Sequence, residues 1–241
     1  MTESPGTCPV TTVLPNRKIS ILYEDNHLLV VEKPVNLPTQ ADESGDPDLL
    51  SLLKSDLKLR YGKPGNVFLG LVHRLDRPVG GVMVFAKTSK AAARLAEQVR
   101  HRELQKKYLA VLHGVPEPRR GRLQHYLVKD HMANMVTALT TEAPQSKLAV
   151  LDYEILAERE GLALAEVHLE TGRSHQIRVQ FAAGGHPLYG DQKYGAGLNR
   201  IGQQLALWSV ELGFKHPTRG EPLIFRSRPP QVFPWSLFPL D

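Results

Sequence analysis

The sequence predicts an α+β fold: a central mixed, mostly antiparallel β-sheet flanked by helices and loops. Three observations lead there. Short apolar or alternating runs of strand length recur from Ile19 to Leu169. Few segments carry the three-to-four-residue spacing of an amphipathic helix. Strands and helices also follow one another without the βαβα rhythm of a doubly wound parallel sheet.

The elements follow in chain order. Residues 1–16, rich in Ser, Thr, Pro and Gly, are expected to form a disordered tail that holds Cys8. Ile19–Tyr23 and Leu28–Val31 read as a hairpin turning through Glu24-Asp25-Asn26-His27. Gln40–Asp48 is a polar loop. A helix follows, with Asp46 as N-cap, Pro47 at its first position, and Leu49, Leu50, Leu53 and Leu57 on one face. Val67–Val72 and Val82–Ala86 are strands around a polar knot. Ser89 caps a second helix to about Arg102, with Ala92, Leu95, Ala96 and Val99 as its stripe. Tyr108–Leu112, Met135–Thr140, Leu148–Ile155 and Leu162–Leu169 alternate as strands. After Gly172 a third helix is expected, with Ile177 and Phe181 on one side and Arg173 in its first turn. Nothing resembles a linker, so 17–241 is treated as one unit that admits a two-lobed division.

Composition sets the bounds. A chain of 241 residues can bury a full core. Its 30 Lys and Arg against 25 Asp and Glu leave a formal charge of +5, a mild pointer to a polyanion. No apolar run is long enough to span a bilayer, and the start carries no basic-then-apolar signal pattern. One cysteine excludes an internal disulfide, a multi-cysteine zinc site and zinc deaminase chemistry. A reducing cytoplasm is the expected home. Walker loops, GxGxxG, HExxH, EF-hand and GxSxG patterns are absent, and the ten histidines show no metal-ligand spacing. No metal site is therefore expected.

Four segments concentrate chemistry-bearing residues. Gly70 to Lys87 encloses His73-Arg74-Leu75-Asp76-Arg77-Pro78 between two apolar strands, a firm mount for a functional group. A simple turn with Asp76 paired to a nearby Arg fits the same residues. In Glu170–Phe181, Arg173 at a helix start opposes the macrodipole by roughly 0.3–1 kcal/mol, which calls for an anionic partner unless it is merely solvated. In Arg102–Gly114, Tyr108 beside Lys106 and Lys107 could stack a base, although strand tyrosines are usually core. In His186–Gly195, a turn-rich loop, His186 reads as a structural hydrogen-bonding residue.

Together these segments resemble the RluA family of pseudouridine synthases. His73-Arg74-Leu75-Asp76 is similar to its HRLD signature. Lys107-Tyr108-Leu109-Ala110-Val111 with Gly114 resembles its KxYxAxVxG segment. Thr171-Gly172-Arg173-Ser174-His175-Gln176-Ile177-Arg178 resembles its TGRxHQIR segment. Gly185-His186-Pro187-Leu188, Gly190-Asp191 and Tyr194-Gly195 resemble the element after it. The match runs from Ile19, through Glu32-Lys33-Pro34, to His216-Pro217. Departures stand at Val79-Gly80-Gly81, where the family often has Thr-Ser-Gly, and at Gln180, where it often has His. Only some eighteen residues precede the first strand, so the family's N-terminal S4-type RNA-binding domain is expected to be missing.

The resemblance implies a two-lobed catalytic domain over 17–241 that isomerises uridines of structured RNA, ribosomal or transfer, without cofactor. It implies Asp76 as catalytic carboxylate, Tyr108 as the stacking ring, Arg173 as the cation paired with Asp76, and Ile177 closing the other face of the base. Arg74 would hold the extruded nucleotide. His73, Arg77, Lys106, Lys107, His175 and Arg178 are the expected RNA contacts. A monomer is expected. The rival readings are a non-catalytic module that holds structured RNA, and an aspartate-dependent hydrolase, which would need a second carboxylate.

Overall fold

The structure, a computed structural model, describes residues 10–14 and 17–240, with backbone alone for 10–18. Cys8 and the remainder of the expected tail lie outside the described residues. The chain divides into two units. One runs to Gln105 and resumes over Glu211–Ser227; the other comprises Lys106–Val210 and the C-terminal stretch from Arg228.

In the first unit, strands β1 (Val10–Leu14), β2 (Arg17–Glu24), β3 (Leu28–Lys33) and β5 (Gly80–Ala86) lie side by side, with β4 (Gly70–Leu71) also on β5. β1 corrects the expected tail: four of its five residues, Val10, Thr11, Thr12 and Val13, are β-branched, and it pairs antiparallel with β2. β3 and β5 pair with Val30 opposite Val84, and all seven residues of β5 are buried. That explains their continuous apolar runs, since neither face meets water. The expected strand at 67–72 shrinks to Gly70–Leu71. There the chain passes so near the second helix that a Cβ on Gly70 would come within 2.9 Å of Ala92 Cβ.

Helix α1 (Leu49–Arg60) starts two residues later than expected. Asp48, not Asp46, is the N-cap and accepts from Ser51 N at 3.0 Å. Leu49, Leu53 and Leu57 form its buried face, and Lys58 and Arg60 suit the dipole of its last turn. Helix α2 (Ser89–Arg100) is capped by Thr88 rather than Ser89. Its buried stripe is Ala91, Leu95 and Gln98, while Ala96 is exposed. Gln98 is polar yet buried because its amide exchanges two hydrogen bonds with the backbone of Lys215, at 2.8 and 2.9 Å. The core joins α2 to Leu28, Val30, Val82, Val84, Leu212, Phe214 and Leu223.

In the second unit, β6 (Gln105–His113), β10 (Leu162–Leu169), β9 (Lys147–Arg159), β7 (Arg120–Asp130) and β8 (Met135–Leu139) are neighbours in that order, with every ladder among them antiparallel. Strand β11 (Leu207–Lys215) enters from this unit and continues into the first, where β12 (Pro222–Arg226) pairs with it. Strands β7, β11 and β12 have no counterpart in the sequence reading. The inward face of β7 carries Gly121, Leu123, His125 and Leu127 against outward Arg120, Arg122 and Gln124, an alternation too polar to register as apolar.

Helix α3 (Gln176–Ala183) begins later than expected, so Arg173 precedes it. Gln176 explains the delay. Its Oε1 accepts from Thr171 Oγ1 at 2.8 Å and from Arg173 N at 3.0 Å, and its Nε2 donates to Val150 O at 3.0 Å. The segment 171–175 is thereby tied down as a loop, and His175 enters the helix in the left-handed region with φ 53°. Residues 176–181 are all buried, Ile177 and Phe181 among them.

Candidate active site

Asp76 sits half-buried at the start of a turn closed by Val79 N donating to Asp76 O at 3.0 Å. The backbone around it is held from inside the first unit. Thr39 Oγ1 donates to Leu75 O at 2.8 Å. Lys33, fully buried, donates from Nζ to Arg77 O at 3.1 Å and to Pro34 O at 3.0 Å. A buried ammonium needs such acceptors, because desolvation penalises it heavily. The Val79-Gly80-Gly81 departure therefore leaves the loop anchored.

The residues around Asp76 take different parts. Arg74 is exposed and makes no hydrogen bond or ion pair among the described residues. His73 accepts from Val84 N at its Nε2, 3.1 Å away, which ties the loop to β5. Arg77 lies at the polar loop. It pairs with Asp42 at 2.9 Å and Asp46 at 2.6 Å and meets the Ser44 hydroxyl, so it latches the polar loop 40–48. The Ser44 hydroxyl and then Arg77 hold the Asp42 carboxyl down at about 2.

In the second unit, Tyr108 is buried on β6 opposite Val167, and Ile177 is buried on α3. Lys107 is neutralised by Glu166 at 3.3 Å. Lys106 has no such partner among the described residues, and burial pushes its ammonium below the ordinary lysine value. Its Nζ stands 3.3 Å from where a Cβ on Gly172 would lie.

The two arginines of the third segment exchange characters. Arg173, expected to pair with Asp76, is exposed; its Nε donates to Leu148 O at 3.0 Å and it makes no ion pair among the described residues. Arg178, expected on the RNA, is only 5% exposed. It forks onto Asp191, Nε to Oδ2 and Nη2 to Oδ1, both at 2.8 Å. Burial raises the Asp191 carboxyl, but Arg178 and the N–H groups of Tyr194 and Lys193 outweigh it and leave the carboxyl below its ordinary value. The Arg178 guanidinium also lies 5.2 Å from the ring centroid of Tyr194. His175 joins the same network at the Tyr194 hydroxyl, 2.6 Å from its Nδ1.

Sequence reasoning passed over Lys33, Asp191 and Tyr194 as working parts, although each stands in a quoted motif. His186 is structural as expected, with Nδ1 donating to His113 O at 3.1 Å. Gln180 is fully buried, and its amide bonds Leu123 O, Ala149 O and His125 Nδ1, so that departure lies inside the fold.

Residues 27–183 match the family model described as RNA pseudouridylate synthase, well over half the chain. The chain belongs to that family. An RNA pseudouridine synthase of Bacillus subtilis is 33% identical over 210 residues, covering 86% of this chain and 67% of the relative. Ribosomal large subunit pseudouridine synthase D of Zymomonas mobilis is 33% identical over 223 residues, covering 88% of this chain and 70% of the relative. Among solved structures, human RNA pseudouridylate synthase domain containing 4 superposes with TM-score 0.75 at 27% identity, covering 90% of this chain and 91% of that one. The synthase is thus an isomerase that forms pseudouridine in RNA. No helix among its described residues is long and apolar enough to cross a membrane.

Proposed function

We propose that the synthase flips a uridine out of structured RNA and isomerises it with Asp76 as the catalytic carboxylate. The anchored loop carries this reading: a half-buried acid whose backbone is fixed by Thr39 and by the buried Lys33 is held ready before substrate arrives. The glycosidic bond from N1 to C1′ breaks, the uracil turns, a bond from C5 to C1′ forms, the proton on C5 leaves to solvent, and N1 takes up a proton. Atoms balance within one nucleotide, so no oxidant or group donor is needed. Flipping costs a few kcal/mol, and stacking on an aromatic returns about 1–3 kcal/mol. Tyr108 is assigned the stacking face and Ile177 the opposite one.

In this reading Arg74, exposed and without a partner among the described residues, holds the RNA backbone. The cationic support once expected of Arg173 passes to Arg178, because Arg178 is both buried and fixed by a fork. Arg173, Lys106 and Lys107 face the RNA. The relatives named as ribosomal large subunit synthases make ribosomal RNA the first substrate to test. The enzyme is taken to act as a monomer in the cytoplasm.

The experiment is tritium release from ribosomal RNA transcribed with uridine labelled at C5. The wild type releases tritium, and Asp76→Asn, melting at the wild-type temperature, does not. Release by Asp76→Asn at the wild-type rate would remove Asp76 from the chemistry. RNA retention without release by the wild type would favour the binding-only module.

A further inference from the structure

The second unit holds a cleft of about 450 Å³ at the Gly172-Arg173-Ser174 stretch. Its lining is Leu127, Lys129, His131, Val136, Gln145, Lys147, Gly172, Arg173 and Ser174. Leu127 and Val136 are buried and make an apolar floor. Lys129, Lys147 and Arg173 are cations from three different segments: β7, the start of β9, and the loop before α3. No carboxylate lines the cleft. The nearest acid in sequence, Asp130, is turned to the N–H groups of Met132 and Ala133 at the hairpin tip. Neither the Lys129 nor the Lys147 ammonium makes an ion pair or hydrogen bond among the described residues. Uncompensated cations around one hollow repel one another, and an anion relieves them.

The walls are fixed. Val136 N donates to the Tyr194 hydroxyl at 2.9 Å, and Lys193 Nζ donates to Asn134 O at 2.7 Å, so the β7–β8 hairpin is tied to the 191–195 loop. Lys106, short of partners and desolvated, reaches Gly172 beside the cleft.

We propose that this cleft is a second RNA-contact site, taking a phosphodiester and adjoining sugar of the substrate RNA. The apolar floor suits a sugar or base face and the three cations suit phosphate oxygens. The proposal rests on the reading that the synthase works on RNA.

The test uses the full chain and a fluorescent 5′-labelled hairpin oligoribonucleotide, with Kd measured from 50 to 300 mM KCl. Each phosphate contact contributes about 0.7–0.9 to the slope of log K against log salt. Lys129→Gln/Lys147→Gln should lower the slope by about 1.5 and weaken binding about tenfold near 0.1 M salt. Lys129→Arg/Lys147→Arg should restore both. The control Lys58→Gln/Lys90→Gln removes equal charge from exposed positions on α1 and α2 and should leave the slope unchanged. Melting temperatures confirm that each variant is folded. A slope and Kd equal to wild type in the Lys129/Lys147 double variant would overturn the proposal, as would an equal loss in the control. Saturable binding of inorganic phosphate, abolished by the double variant while RNA binding persists, would make the cleft a free-anion site and overturn it too. The outcome is independent of tritium release: a wild type that binds the hairpin but modifies nothing removes the enzymatic reading and leaves the cleft decided by its slope.

Discussion

The hydroxyl of Tyr194 stands 2.6 Å from Nδ1 of His175 and 2.9 Å from the backbone nitrogen of Val136. Val136 N can only donate, so the hydroxyl accepts there, and it shares a second hydrogen bond with His175 Nδ1. One phenol thus links the left-handed residue that opens α3 to the hairpin that walls the basic cleft. Tyr194→Phe removes both bonds and leaves the Val136 N–H buried without an acceptor. A buried unsatisfied donor costs about 1–3 kcal/mol. At about 2–4 °C per kcal/mol for a chain of this size, the melting temperature should fall by several degrees. Thermal unfolding followed by circular dichroism checks this; an unchanged melting temperature would mean the hairpin does not depend on the phenol.

The two arginines separate by what they do to binding and to turnover. Arg178→Lys keeps the charge but loses the fork onto Asp191, since an ammonium cannot make two parallel bonds in that geometry. Tritium release should drop by on the order of tenfold to a hundredfold while hairpin RNA retention on a filter stays close to wild type. Arg173→Ala should instead weaken retention. The reverse pattern would return the supporting role to Arg173. Because breaking a buried pair can cost about 3–5 kcal/mol, both assays belong well below the melting temperature of Arg178→Lys.

The two arginines also show how far sequence reasoning reaches. The motif around them was readable, and so was its place between a strand and a buried helix. What misled was the helix start. Gly172 ends β10 and Ser174 is a fair cap, so a helix from Arg173 satisfies every local rule. The side chain of Gln176 decides otherwise by bonding Thr171, the Arg173 N–H and Val150 across the sheet, a contact between residues 26 apart in sequence for the last of these. Similarly, β3 and β5 were plain because buried strands are continuously apolar, whereas β7 hides among its own arginines. The lysines of the cleft were invisible for a related reason: Lys129 and Lys147 belong to no motif and meet only through the pairing of β7 with β9.

Acid should destabilise the first unit in a defined window. Asp25 accepts from His27 N and Leu28 N at 2.7 Å each, and from His216 and Arg219. Burial raises its carboxyl, but the His27 N–H, His216, the Leu28 N–H and the Tyr23 hydroxyl together bring it down to about 2. A depressed carboxyl binds protons more readily when unfolded. Its contribution is therefore complete above the unfolded value near 3.9, declines below it, and is gone once pH falls past about 2. Urea midpoints should hold from pH 7 to 5 as far as this group is concerned and fall from about pH 4 downward. Asp25→Asn should be less stable than wild type at neutral pH, with the gap closing towards pH 2. A gap of constant size across that range would show that the carboxylate charge is not what matters.

Gly190 offers the sharpest test of the packing around the buried Asp191. Its φ is +77°, and a Cβ added there would lie 2.1 Å from Gln204 O and 2.5 Å from Gln204 C. Those are backbone atoms, so no rotamer change relieves the clash, and the left-handed conformation is unfavourable for alanine as well. Gly190 N further donates to Asn199 Oδ1 at 2.6 Å, which fixes the glycine from the other side. Gly190→Ala should therefore destabilise beyond the usual range for a single substitution, read as loss of soluble protein or of a cooperative melt at 37 °C. Gly197→Ala is the matched control in the same loop region, because a Cβ there meets nothing within 4 Å. It should melt within a degree or two of wild type, as surface substitutions do. Equal behaviour of the two alanine variants would mean that the chain at 188–205 does not adopt the close approach described here.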